Sequence, residues 1–100
     1  MKRGTTPINK FTVPVDLTGA TVFIDYEQDG QIVIEKTGTD LTVSSTSIQT
    51  MLTQEETLAF HPGRVFVQIR YVTSDGTADA SNIISTTAER IIKDGVIEYV

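Results

Sequence analysis

The side chains able to carry chemistry are few, and their spacing keeps them apart. His61 is the only histidine in the 100 residues. As a general base or a metal ligand it would need convergent partners, and no spacing in the chain offers them. It stands between Phe60 and Pro62-Gly63, where a loop residue packing its ring is the simpler reading. Glu55 and Glu56 are adjacent carboxylates, but neighbours on a helical turn point about 100 degrees apart and do not face one another. Capping and solvation account for them. Asp29 and Asp75 each precede a glycine, so turn chemistry explains them without calcium. Glycine-rich phosphate loops, nucleophile elbows and zinc-binding histidine pairs are missing, and the serines lie in turns. No catalytic, metal-binding or cofactor-binding residue is assigned, and the expectation is a protein that is not an enzyme.

Bulk properties narrow the remaining classes. The formal net charge of -5 provides no electropositive surface able to neutralise many phosphates, so nucleic acid is not an expected partner. No apolar run approaches the roughly 18 residues of a membrane span, and Lys2-Arg3 is not followed by a signal-type stretch. The expectation is a soluble, unprocessed chain with no membrane partner. It has no cysteine, which removes disulfides and cysteine metal sites and fits folding in a reducing cytoplasm. Hydrophobic residues at 39% and charged residues at 21% are ordinary globular values, and this length is enough for one core without staples.

The elements that must position any surface read as strands. Short runs alternate apolar and polar residues between Gly, Asp and Ser clusters, giving seven expected strands at residues 8–15, 22–27, 32–36, 41–44, 48–52, 65–72 and 80–88. In the first, Phe11, Val13 and Val15 share a face, and Pro7 and Pro14 mark an edge. Gln28-Asp29-Gly30 joins the second and third. A two-residue loop would set Ile24 opposite Glu35, so a three-residue loop is expected, with Gly30 left-handed, Ile24 opposite Ile34 and Tyr26 opposite Ile32. A four-residue loop on a type I turn should set Val43 opposite Ile48 and bury both. Thr53-Gln54-Glu55-Glu56 reads as a capping box opening one or two helical turns over residues 54–59. Val65, Val67, Ile69 and Tyr71 form the buried face of the clearest strand. The last strand has two possible registers, because Ile83 and Ile84 fall on opposite faces. No helical segment is long enough to cover a sheet, so residues 1–100 are expected to form a single all-β domain: an immunoglobulin-like β-sandwich of about seven antiparallel strands, with residues 1–6 a flexible start.

The end of the chain carries more apolar surface than a finished sandwich needs. Ile91, Ile92, Val96, Ile97, Tyr99 and Val100 lie beyond the last expected strand, and fully burying each contributes about 1.5–3 kcal/mol. Two readings stay open. The segment folds back on its own sandwich, as a strand extension or as a turn capped by Thr86 and Glu89, or residues 91–100 form an interaction arm that docks on a neighbouring subunit. Tyr26, Tyr71 and the phenylalanines could also form a sugar-stacking platform, although aromatics at period two more often build core.

Arg3-Gly4-Thr5-Thr6-Pro7, Val13-Pro14-Val15-Asp16-Leu17-Thr18-Gly19-Ala20, Leu52-Thr53-Gln54-Glu55-Glu56-Thr57 and Pro62-Gly63 through Val67-Gln68-Ile69-Arg70 carry a resemblance. Together they resemble small prophage-encoded proteins of Gram-positive bacteria, related to the amino-terminal domain of phage baseplate upper proteins. The resemblance implies a virion structural protein of tail or baseplate type, made in the bacterial cytoplasm. It also implies assembly in repeated copies, as a homo-oligomer, with other phage structural proteins as partners. It carries over no catalytic residue. The alternative expectation is a carbohydrate or host-surface binding module.

Overall fold

A computed structural model describes residues 1–99. Eight strands form two antiparallel sheets: β1 Ile8–Thr12, β2 Thr21–Gln28, β3 Gln31–Thr37, β4 Thr42–Val43, β5 Ser47–Met51, β6 Gly63–Val72, β7 Ala78–Ala80 and β8 Ile84–Ala88. A short α-helix, α1 Gln54–Leu58, follows β5, and a 3-10 turn, Gly38–Asp40, links β3 to β4. The smaller sheet has the order β1-β5-β4, and the larger runs β3-β2-β6 with β7 and β8 both on the far side of β6.

One core joins the sheets. β2 contributes Val22, Ile24 and Tyr26, and β6 contributes Val65, Val67, Ile69 and Tyr71, against Ile48 and Leu52 from the β5 side. Period-two alternation produces this directly, since every second residue of a strand points to the same face. Leu17 and Phe60, from the connections, complete the filling. Tyr26 and Phe60 pack as a tilted aromatic pair with centroids 6.4 Å apart. The Tyr26 hydroxyl accepts a 2.7 Å hydrogen bond from Asn9 Nδ2, which links the two layers, and burial pushes its phenol above the ordinary range.

The β2–β3 hairpin departs from the expected register. The turn is Asp29-Gly30, with φ of 55° and 76°, and Gln28 pairs with Gln31. A bulge beside Tyr26/Glu27 then sets Tyr26 opposite Ile34 and Ile24 opposite Lys36. The three-residue loop is therefore corrected to a two-residue turn plus a bulge. An extra residue in one strand shifts the register by one, which restores the facing that a plain two-residue turn would lose. The same shift sets Asp25 directly opposite Glu35 on the outer face.

Other details follow the residues more simply. Val43 pairs with Ile48 and no left-handed residue occurs in the turn. Val43 is nevertheless 40% exposed while Ile48 is fully buried, because β4 is a two-residue edge segment at the rim. The capping box forms, with Thr53 Oγ1 accepting from Glu56 N–H and Glu56 Oε1 accepting from Thr53 N–H.

The expected last strand is two strands, which raises the count to eight. Ser81 makes the break by pairing with Ile69 through its own N–H and its side-chain oxygen, at 2.8 and 3.0 Å. Its hydroxyl takes the place of a backbone carbonyl, so the chain steps out and rejoins β6 with Val67 opposite Ile84. Ile83 and Ile84 are both exposed.

Candidate interaction surface

The carboxyl-terminal arm is positioned by the first residues of the chain. Lys2 and Glu89 form a parallel bridge, with Arg3 N–H donating to Glu89 O at 3.2 Å and Glu89 N–H to Met1 O at 2.8 Å. The amino terminus donates to Thr87 O at 2.9 Å. Residues 1–6, expected as a flexible start, are thus placed between β8 and α1. Thr5 N–H donates to Thr57 Oγ1, and that hydroxyl donates back to Thr5 O.

Arg3 is the central tie. Its guanidinium donates to Leu58 O at 3.0 Å, to Phe60 O, and to Asp94 Oδ1 at 2.7 Å. The first two are helix-end and loop carbonyls, groups that the backbone of α1 leaves without partners. The third fastens the arm. Further along, the Gln54 side chain accepts from Ile97 N–H at 2.7 Å and donates to Ile97 O at 3.0 Å, mimicking one rung of a β-ladder.

Between these ties the arm forms no strand, and its apolar side chains divide sharply. Ile91 is half-buried and lies close to Gly4, where a Cβ would meet Ile91 Cδ1 at 3.1 Å and Leu58 Cδ2 at 3.5 Å. Ile92 is 96% exposed, Ile97 77% and Tyr99 98%. Val96 is also exposed, and Val100 lies outside the described residues. The arm borders Met51, Thr53 and Gln54 in a surface depression, and Met51 pairs across strands with Ile8, which is also exposed. The arm is therefore tied back through Ile91, Asp94 and the Ile97 backbone, while four large apolar side chains, Ile92, Val96, Ile97 and Tyr99, face water.

His61 Nε2 contacts the Asp29 carboxylate at the hairpin tip, both side chains being well exposed, and this hydrogen bond raises the imidazole above its ordinary value. Gln28 pins the His61 backbone by accepting from its N–H at 3.0 Å and donating to its O at 2.8 Å. Among the described residues, no group of three or more metal-ligating side chains converges. Glu55 is exposed, and Glu56 accepts from Thr53 N–H and pairs with Lys36 Nζ at 2.8 Å. Asp75 accepts from Thr73 and Thr77 within its turn. The aromatic platform is corrected: Tyr26 and Tyr71 are core residues, because period two points them inward.

Asp25, Glu35, Arg3 and Gln54 were not singled out by their sequence spacing. Asp25 and Glu35 become neighbours only through the bulge, and Arg3 and Gln54 act on segments 91 and 43 residues away. Comparison of the chain with protein-family models, curated proteins and solved structures finds no match.

Proposed function

We propose that this protein is a structural component of a phage or prophage-derived particle, of tail or baseplate type, that works by protein–protein assembly through its carboxyl-terminal arm. The observation that carries this reading is the arm itself, anchored at Arg3 and Gln54 yet presenting Ile92, Ile97 and Tyr99 almost fully to water. Apolar side chains held in a defined place and left uncovered are the usual mark of an association surface. The two-sheet architecture, read as immunoglobulin-like, supplies a rigid base, and the unpaired outer edge of β3 adds a second place for association. The setting in a particle rests on the resemblance carried by the amino-terminal, Val13–Ala20, Leu52–Thr57 and Pro62–Arg70 motifs. Carbohydrate stacking loses both tyrosines of its platform, Tyr26 and Tyr71, to the core.

The test is light scattering of the full chain beside a variant lacking residues 91–100, with mass spectrometry of purified particles. The expected result is a lower oligomer order or lost partner binding, unchanged β-rich circular dichroism, and the protein present in particles. A truncated chain that associates as before, or a protein found only in lysate, would refute the reading.

A further inference from the structure

The outer face of the larger sheet carries a shallow concavity of about 490 Å³ whose lining includes the apolar Ile32, Phe66 and Ile83 and the charged Asp25, Glu27 and Arg70. Ile32 and Ile83 are 63% and 64% exposed. Asp25 Oδ1 is shielded from water and has no hydrogen-bond partner, and buried acceptors are normally satisfied. Arg70 makes no ion pair among the described residues. The surface thus combines apolar walls with two carboxylates, Asp25 and Glu27, of which Asp25 keeps one oxygen without a partner, and one cation, Arg70, outside any of these ion pairs.

Tyr99 and Glu98 offer the complementary set. An apolar ring with a donor hydroxyl, followed back along the chain by a carboxylate, matches apolar walls, Asp25 and Arg70 in kind. We infer that the concavity receives the Glu98 and Tyr99 end of the arm from a second copy of this chain, with the ring against Ile32, Phe66 and Ile83, the hydroxyl donating to the Asp25 carboxylate, and Glu98 against Arg70. A carboxyl group turns readily about its last bond, so Asp25 can meet an incoming donor.

The occupant is another copy because the arm cannot serve its own concavity. Ile97 is tied on both sides to Gln54, and the backbone of Tyr99, two residues on, lies within roughly 7 Å of it when fully extended. The arm borders the outward side of the smaller sheet, where Met51 points, whereas the concavity lies on the outward side of the larger one. The molecule is 17 Å across its thinnest dimension. Arm and receiver are different surfaces, so the contact is heterologous and generates a ring or an open chain. Tyrosine suits the anchor role, giving large contact area and a polar handle for little lost freedom. The inference rests on the arm-mediated assembly proposed above and adds the surface that receives the arm.

Sedimentation velocity on full-length chains tests it, using Tyr99→Ser to remove the anchor and Ile83→Glu or Ile32→Glu to block the receiver. Circular dichroism checks that each variant is folded. The wild-type chain should form concentration-dependent oligomers, the smallest being a dimer in which the two arms are exchanged. Each variant alone should associate at least tenfold more weakly, and Tyr99→Phe about tenfold more weakly for the lost charged hydrogen bond. A mixture of Tyr99→Ser with Ile83→Glu should form a one-to-one dimer and stop there, since one intact arm and one intact receiver remain. If both receiver variants associate like the wild type while Tyr99→Ser does not, the arm docks elsewhere: the inference falls and the proposed function stands. If Tyr99→Ser associates normally, the inference falls, and the deletion of residues 91–100 then decides the proposed function separately. A wild-type chain that is monomeric at every concentration also overturns the inference, leaving the arm to a different partner chain.

Discussion

Asp25 and Glu35 sit directly opposite one another on neighbouring strands, a placement that sets like charges side by side. Hydrogen bonding with Asp25 and the Asp25 charge both raise the Glu35 carboxyl above its ordinary value. The folded protein therefore holds this proton more tightly than the unfolded chain, so the associated stability is complete below the unfolded value and is lost as pH rises through the folded one. Glu35→Gln should raise the Tm at neutral pH and flatten its slope through the mildly acidic range, measured by thermal denaturation across pH. An unchanged slope would mean that the pair is screened. His61 behaves in the same direction for a different reason, because Asp29 stabilises the imidazolium. With one histidine in the chain, its ring proton resonance reports the site without ambiguity. Asp29→Asn should move the titration midpoint down toward the unperturbed histidine value. Residue types alone offered both histidine and carboxylates, but which of them meet depends on a turn geometry and a bulge that spacing does not reveal.

At the scale of elements, legibility tracked how local the determining forces were. The capping box of α1 and the buried face of β6 depend on residues three or two apart, and both stand as read. The β2–β3 register depends on a bulge, where one extra residue is paid for by turning Lys36 inward. Lys36 is 8% exposed and is tolerated there because Glu56 meets it. Burial alone pushes the Glu56 carboxyl up, but the hydrogen bonds and charge of Lys36, with those of Thr53, outweigh it and hold the group low. The stability this contributes is present above the unfolded value and fades as pH falls through the folded one. Glu56→Ala removes the capping partner and leaves Lys36 buried without an anion, and should cost about 2–3 kcal/mol in denaturant titration. The arm was legible as apolar surplus, whereas its anchors were not, since Arg3 and Asp94 lie at opposite ends of the chain. Arg3→Ala should speed amide exchange across residues 89–97 while β6 remains protected. Asp94→Ala should do less, because Asp94 is a 63% exposed partner and exposed pairs contribute little.

Across the whole molecule, the two sheets differ in their capacity to stand alone. The smaller has three strands, one of them only two residues long, and such a sheet is marginal without a layer to pack on. Ile48 on β5 and Leu52 just after it are fully buried, in the same cluster as Ile24, Tyr26 and Ile69 of the larger sheet. The core is therefore shared property, and its loss on either side should be felt on both. Ile48→Ala removes three heavy atoms from the centre of this cluster and should cost about 2–5 kcal/mol. Unfolding should remain a single transition, with tyrosine near-ultraviolet signals, which report Tyr26 in the larger sheet, coinciding with the far-ultraviolet loss of strand structure. Two separated transitions would show that the larger sheet holds without the smaller, and the arm, whose hold on Gln54 lies just beyond β5, would then be released before the receiving face of β2 and β6 is lost.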